Sequence, residues 1–351
     1  MPAQQDTAIL LLAHGTPNTL GEMADYLSKV VGGRPMPAEV VAELQHRYAA
    51  IGLRDEPGTE PPPLTKWTIA QGQALEAALA KAGTPLRVYV GMRNWHPLIV
   101  DVVAKMRADG IARVLAICLA PQNSRTSTGL YRRALMAAAD QPGAGKLEII
   151  FVDEWPEEPA LIEAFARRLV EVYQRTCAEA AEPSGARKGA ALPVLFTAHS
   201  VPCRTIISAA SEHHGGSAQT TPDPYPVEAK RTAALVFKKA VELLGVDHQF
   251  AAVAPREYFF AFQSQGVAGG PWIGPTVEDT LAALAKEGHR GVVLQPIGFV
   301  CDHVEVLYDI DIAFTATAGS LGMTLIRPKS LNDSPLLTEA LVRIVLRHLP
   351  G

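Results

Sequence analysis

Cysteine is scarce in this 351-residue chain: Cys118, Cys177, Cys203 and Cys301 are its four, and their spacing allows no CxxC pair and no iron–sulfur quartet. A zinc knuckle is excluded on the same ground, and the four read as separate thiols of a reducing compartment. Long apolar runs are also missing. Residues 9–13 and 114–120 carry the longest, against the roughly 18 that a membrane-spanning helix needs. The N-terminal MPAQQDTAILLLAHG has no positive region ahead of its apolar stretch, so no secretory signal is expected and the cytoplasm is the expected compartment. Runs of Lys or Arg are absent, and 32 basic residues face 36 acidic ones for a net charge of −4. Neither nucleic acid nor an anionic membrane surface has an electrostatic footprint here. No GxGxxG follows the first apolar run, and GxxxxGK[ST] and GxSxG do not occur, so nucleotide binding and serine-hydrolase chemistry lack a motif.

What is present is a core-forming composition, 48% hydrophobic and 19% charged. Short apolar runs lie at 8–13, 86–92, 113–120, 147–152, 194–198, 257–262 and 291–298. Amphipathic stretches separate them, among them 64–82, 97–109, 159–179, 226–244 and 276–287. Continuous apolar strands alternating with helices predict parallel sheets covered on both faces, a doubly wound α/β fold. Met92, Met106 and Met136 fit core positions of these elements.

The two halves echo each other. LLLAHGTP (10–17) ends the first strand and LFTAHSVP (195–202) ends the first strand of the second half. DGIARVLAICLAPQ (109–122) is answered by EGHRGVVLQPIGF (287–299). Two similar Rossmann-like lobes are expected, with a linker at 180–192 and an exposed loop at 211–226 in which His213 and His214 are solvated. Ligands of such sheets sit beyond the carboxyl ends of the strands, which points His14 and His199 into a cleft between the lobes.

Several residues in these positions carry chemistry. His199, at a strand end, and Glu305, just past another, form a nitrogen–oxygen pair suited to Fe²⁺, Co²⁺ or Zn²⁺ and able to accept protons. Each alone reads equally well as a cap or a solvated helix residue. Asp309 lies four residues after Glu305 and shares its face if the segment is helical; Asp302 and Asp311 extend the acidic stretch. On that helix His303 faces elsewhere and is not counted as a co-ligand. His14 is a candidate ligand or base from the opposite lobe, or a turn-packing histidine. Arg47 with Tyr48, Arg93, and Tyr131 to Arg133 are candidate anion-binding residues, arginine for its bidentate grip on carboxylates.

Taken together, LLLAHGTP, GMRNWHP (91–97), LAPQNSRTSTGLYRRA (119–134), FTAHSVP (196–202), DPYP (223–226), FQSQGVAGGPWIGP (262–275) and PIGFVCDHVEVLYDID (296–311) resemble the ferrochelatase family, in the family's order and over nearly the whole chain. The resemblance implies two chelatase-type lobes, 1–160 joined by a C-terminal helix at 333–351, and 161–332 carrying the metal site, with the active site between them. It implies insertion of Fe²⁺ into a porphyrin in heme biosynthesis, without ATP and without a tightly bound cofactor. His199 and Glu305 match the family's metal-facing catalytic pair, Asp309 the next acidic position, and Arg47 and Tyr131 positions near the porphyrin's carboxylates, with His14 and Tyr48 also against the substrate. His14 stands where the coproporphyrin branch usually has tyrosine, and Pro62 where a serine is common. FQSQGVAGGPWIGP is similar to that branch, whereas GMRNWHP is more like the enzymes that use protoporphyrin; coproporphyrin III is the expected substrate, protoporphyrin IX the alternative. A cysteine cluster after Ile326 is absent, so no iron–sulfur centre is expected. The expected partners are the porphyrin and Fe²⁺, with transient contacts to other heme-pathway enzymes and a monomeric state. A cobalt or nickel chelatase of another tetrapyrrole, or a carrier without turnover, are the other readings.

Overall fold

The computed structural model describes residues 6–141, 145–180, 191–206, 222–246, 250, 254–266 and 270–349. Most of the expected linker, most of the 211–226 loop and the His213–His214 pair lie outside the described residues.

The first half contributes β1 (Thr7–Ala13), α1 (Met23–Val30), α2 (Ala38–Ala50), α3 (Pro63–Lys81), β2 (Arg87–Met92), α4 (Ile99–Ala108), β3 (Arg113–Cys118), α5 (Thr128–Ala139), β4 (Glu148–Val152) and α6 (Pro159–Ala180). The second contributes β5 (Val194–His199), α7 (Cys203–Ile206), α8 (Tyr225–Val246), β6 (Tyr258–Gln263), α9 (Val277–Lys286), β7 (Gly291–Pro296), α10 (Val304–Leu307), α11 (Thr315–Ser320), β8 (Thr324–Ile326) and α12 (Pro335–His348). The strand orders are β2-β1-β3-β4 and β6-β5-β7-β8, and every pairing is parallel. Counted from its own first strand, each half thus has the order 2-1-3-4, the same winding twice. Each sheet places its first strand at the centre, where side chains of both faces are covered. β1 is accordingly buried from end to end, and β5 is buried up to its terminal His199.

Residues 9, 11, 115 and 117 pack toward α3 and α6, while 8, 10, 12, 114 and 116 pack toward α4 and α5. This is the alternation of a strand read from its two faces. Each fully buried Leu or Ile contributes about 1.5–3 kcal/mol over leaving it in water. The first-face cluster runs without a break into the second half through Val194, Phe196 and Val236, and α12 seals it by packing on α3 and α6. Met92 and Met106 are core residues, but Met136 is 42% exposed: its position on α5 faces solvent, so its expected core placement is corrected.

The strand ends are shaped by small residues. Gly15, directly after His14, has φ +89°, and a Cβ there would stand 2.8 Å from the Trp95 backbone nitrogen. Only glycine combines that left-handed turn with that approach. Its counterpart after His199 is Ser200, whose hydroxyl donates to the Ile273 carbonyl at 2.8 Å. Between the lobes, buried Gln122 donates to Thr232 Oγ1 and to the Ile297 carbonyl, both at 3.2 Å.

Candidate active site

Both strand-end histidines stand at carboxyl ends of central strands, as the topology requires. His199 closes β5, and its Nε2 lies 3.2 Å from Glu305 Oε1. Glu305 sits in the first turn of α10, which starts eight residues after β7 ends. The pair is about a third open to the cleft, at 33% and 28% side-chain exposure. Burial alone would lower the His199 pKa, but the Glu305 carboxylate, a hydrogen bond to it and the Ser200 carbonyl outweigh burial and raise it to about 9. Burial would raise the Glu305 pKa; His199 and His303 overturn that and hold it well below the usual carboxylate range. At neutral pH the pair is an imidazolium against a carboxylate.

His303 belongs to this site, which corrects the expectation that it faces elsewhere. That expectation placed it inside a helix, whereas His303 is the residue before α10 and is extended, at φ −160° and ψ −176°. Its ring therefore swings back, with Nε2 3.7 Å from Glu305 Oε2 and Nδ1 3.0 Å from the Cys301 carbonyl. Phe299 packs edge-on between the two imidazoles, 4.5 Å from the His303 centroid and 6.5 Å from that of His199. The Trp272 ring is tilted against that of His199, with centroids 6.4 Å apart.

Asp309 is buried at the start of a π-helical stretch, Asp309–Phe314, that continues α10. It accepts from the Ser264 hydroxyl and lies 3.7 Å from Arg47 Nη1. Burial raises its pKa to about 6, Ser264 and Arg47 opposing and Glu305 reinforcing. Asp302 and Asp311 do not extend the acidic stretch. Arg327, 16 residues beyond Asp311, grips both oxygens of Asp311 at 2.5 and 2.7 Å and approaches Asp302 at 3.5 Å. Ser330 and Asn332 complete the shell of Asp302. These two carboxylates are consumed in fixing the loop rather than offered to a ligand.

The opposite wall comes from the first lobe. His14 lies half-buried beside Tyr26 and Asn94. The Asn94 amide donates to Nε2 at 3.0 Å, which leaves the ring proton on Nδ1, within reach of the Gly15 carbonyl (3.2 Å) and Tyr26 Oη (3.1 Å). Burial, with the Arg93 charge behind it, lowers its pKa to about 4, so His14 is neutral. Tyr48 is buried against Met23, Tyr26, Leu27 and Trp95, and burial raises its pKa to about 12. Tyr131 is buried at the start of α5 and its phenol is likewise pushed up by burial. The Glu305 charge reaches His14, Tyr26, Tyr48 and Tyr131, which sets these groups around one cleft.

The candidate arginines separate. Arg47, on α2, crosses to the second lobe, where it lies over the Tyr308 ring at 5.4 Å and beside Asp309. Arg93 is half-buried, forms no ion pair among the described residues, and has its pKa lowered by burial. Arg132 turns outward, pairing with Asp153 at 2.6 Å over Phe151, and Arg133 is exposed. Sequence reasoning missed the residues behind the pair, Gln263 and Ser264. They lie in a quoted motif, but a neutral amide and a hydroxyl carry no signature of their own.

Among the described residues no group of three or more His, Cys, Asp or Glu is arranged to hold a metal ion, and no helix is long and apolar enough to cross a membrane. The arrangement offers a nitrogen–oxygen pair that shares a proton, with the Asp309 carboxyl behind it, facing neutral aromatic groups and the Arg93 guanidinium, which has no ion pair among the described residues.

The ferrochelatase family model matches residues 6–349. A protein named ferrochelatase from Acidobacterium capsulatum is 53% identical over 342 residues, covering 97% of this chain and 94% of that one. A coproporphyrin III ferrochelatase from Geobacillus thermodenitrificans is 33% identical over 350 residues, covering 99% and 97%. Among solved structures, the cobalt complex of a sirohydrochlorin chelatase from Bacillus subtilis subspecies spizizenii matches with a TM-score of 0.50 at 11% identity, over 97% of this chain and 94% of that one. That last likeness is one of fold.

Proposed function

Since this chain belongs to the ferrochelatase family, we propose that it inserts Fe²⁺ into a porphyrin in heme biosynthesis, with coproporphyrin III as the favoured substrate. The observation that carries the chemistry is the 3.2 Å contact of His199 with Glu305 at the mouth of the second sheet. Metallation must remove two N–H protons from the macrocycle and strip water from the ion. A planar porphyrin is a poor ligand while its N–H groups crowd the centre. A rigid cleft that bends the ring exposes nitrogen lone pairs, the strain being offset by binding elsewhere on the ring.

In this reading His199 and Glu305 meet the metal and take up the pyrrole protons. The pair already shares one proton, so it must pass that on before accepting another. Asp309 suits the transfer because its pKa, about 6, lies close to working pH. His14, neutral and fixed by Asn94 and Tyr26, supports the opposite face of the ring; to ligate iron through Nε2 it would release Asn94. Arg93 is the favoured carboxylate partner, because its charge is half-buried and has no ion-pair partner among the described residues. Arg47, Tyr48 and Tyr131 complete the substrate wall. The proposed lobes are 1–160 with 333–351, and 161–332, a boundary that falls in the first turn of α6. No resident cofactor enters the reaction, and the chain acts as a monomer.

The test is anaerobic Fe²⁺ insertion assayed in parallel on coproporphyrin III and protoporphyrin IX, followed by loss of porphyrin fluorescence. Faster turnover of coproporphyrin III is expected. Binding of either porphyrin without metallation would replace the enzyme with a carrier, and a preference for protoporphyrin IX would reverse the substrate assignment.

A further inference from the structure

His199 and Glu305 come from segments more than a hundred residues apart, so something must set their separation. Strand register puts Gln263, the last residue of β6, directly beside His199. Gln263 and Thr197 are both buried, and the Thr197 hydroxyl donates to Gln263 Oε1 at 2.6 Å. That bond fixes which end of the amide is which, and aims the amide nitrogen at the Glu305 carbonyl, 2.8 Å away. The Gln263 carbonyl in turn accepts from the Ser200 backbone nitrogen at 2.7 Å, next to His199. One side chain thus ties the strand that carries the imidazole to the helix that carries the carboxylate.

The following residue extends the clamp. Ser264 has φ +61°, a left-handed conformation that is strained for a serine and persists only where its surroundings hold it. The turn delivers its hydroxyl to Asp309, with the Gln263 amide 3.3 Å behind it. A glycine would make the same turn without strain, so the conformation alone does not explain the serine; the hydroxyl does.

Resting on the iron-insertion reading, we infer that Gln263 and Ser264 are positioning residues for that reaction, Gln263 setting the backbone of Glu305 against His199 and Ser264 aiming the Asp309 carboxylate. The test uses the full chain in the anaerobic assay and compares wild type with Ser264→Gly, which keeps the turn and deletes the hydroxyl, alone and in an Asp309→Ala background. Ser264→Gly is expected to lower kcat about 10-fold while leaving KM for the porphyrin unchanged, since misplacing a reacting group costs rate more than binding. In the Asp309→Ala background the same change should have no further effect, because the hydroxyl then has no carboxylate to hold. Gln263→Glu, which keeps the bond from Thr197 but sets a second oxygen against the Glu305 carbonyl, should lower kcat more than Ser264→Gly, again at unchanged porphyrin KM. Wild-type kcat in Ser264→Gly, or an equal loss with and without Asp309, overturns the inference while iron insertion stands. Absence of insertion by wild type overturns both.

Discussion

His14 and His199 occupy equivalent places in two copies of one winding, yet one is neutral and the other charged. Each stands at the carboxyl end of a central strand, and burial acts on both in the same direction. What differs is the neighbour. His14 meets an amide, a phenol and, farther off, the Arg93 charge, and its pKa falls to about 4. His199 meets a carboxylate, and its pKa rises to about 9. A duplicated scaffold therefore supplies position, while the residues brought from other segments decide chemistry.

The comparison breaks most sharply at Glu305. Glu305→Gln keeps the shape and deletes the base, so kcat for Fe²⁺ insertion should fall about 10²-fold or more, with porphyrin affinity changed far less; steady-state assays read both. The same variant tests the charge difference. Imidazole titration followed by NMR should give midpoints near 9 for His199 and 4 for His14 in the wild type. In Glu305→Gln the His199 midpoint should fall well below its wild-type value, because the largest opposition to burial is gone and only the Ser200 carbonyl and the Asp309 charge remain. The signs follow for stability. The raised His199 pKa contributes fully below 6.5 and fades as pH climbs through about 9. The lowered Glu305 pKa contributes fully above 4.5 and fades in acid. Partial exposure keeps both contributions modest.

The turns after the histidines differ too. Gly15→Ala forces a Cβ onto Trp95 in a left-handed conformation and should cost about 1–3 kcal/mol in urea unfolding. Ser200→Ala, at the equivalent position, loses only the bond to Ile273 and should cost about 0.5–1.5 kcal/mol.

The strands were legible because a parallel strand covered on both faces must be apolar throughout, and β1 to β7 fall on the seven runs. β8 was not: three residues at a sheet edge, partly exposed, leave no such run. Nor was α2, whose one fully buried residue is Tyr48, because a helix that lines a cleft lacks the apolar stripe of one that covers a core. The resemblance singled out His199, Glu305 and Asp309, and these do converge. His303 was misread because a helical wheel was applied one residue before the helix begins. Asp302 and Asp311 were misread because their neutralising partner, Arg327, acts from a different segment, and spacing cannot show that.

The buried amide of Gln122 has a mechanical consequence. Its nitrogen donates both to α8 and to the segment leaving β7, which ties the halves together behind the cleft, and Thr232 adds a bond to the Pro156 carbonyl. Jaws riveted in this way cannot swing wide as rigid plates. In the proposed reaction such bracing sets the division of labour: when a flat guest is pressed into the slot, the guest yields rather than the frame.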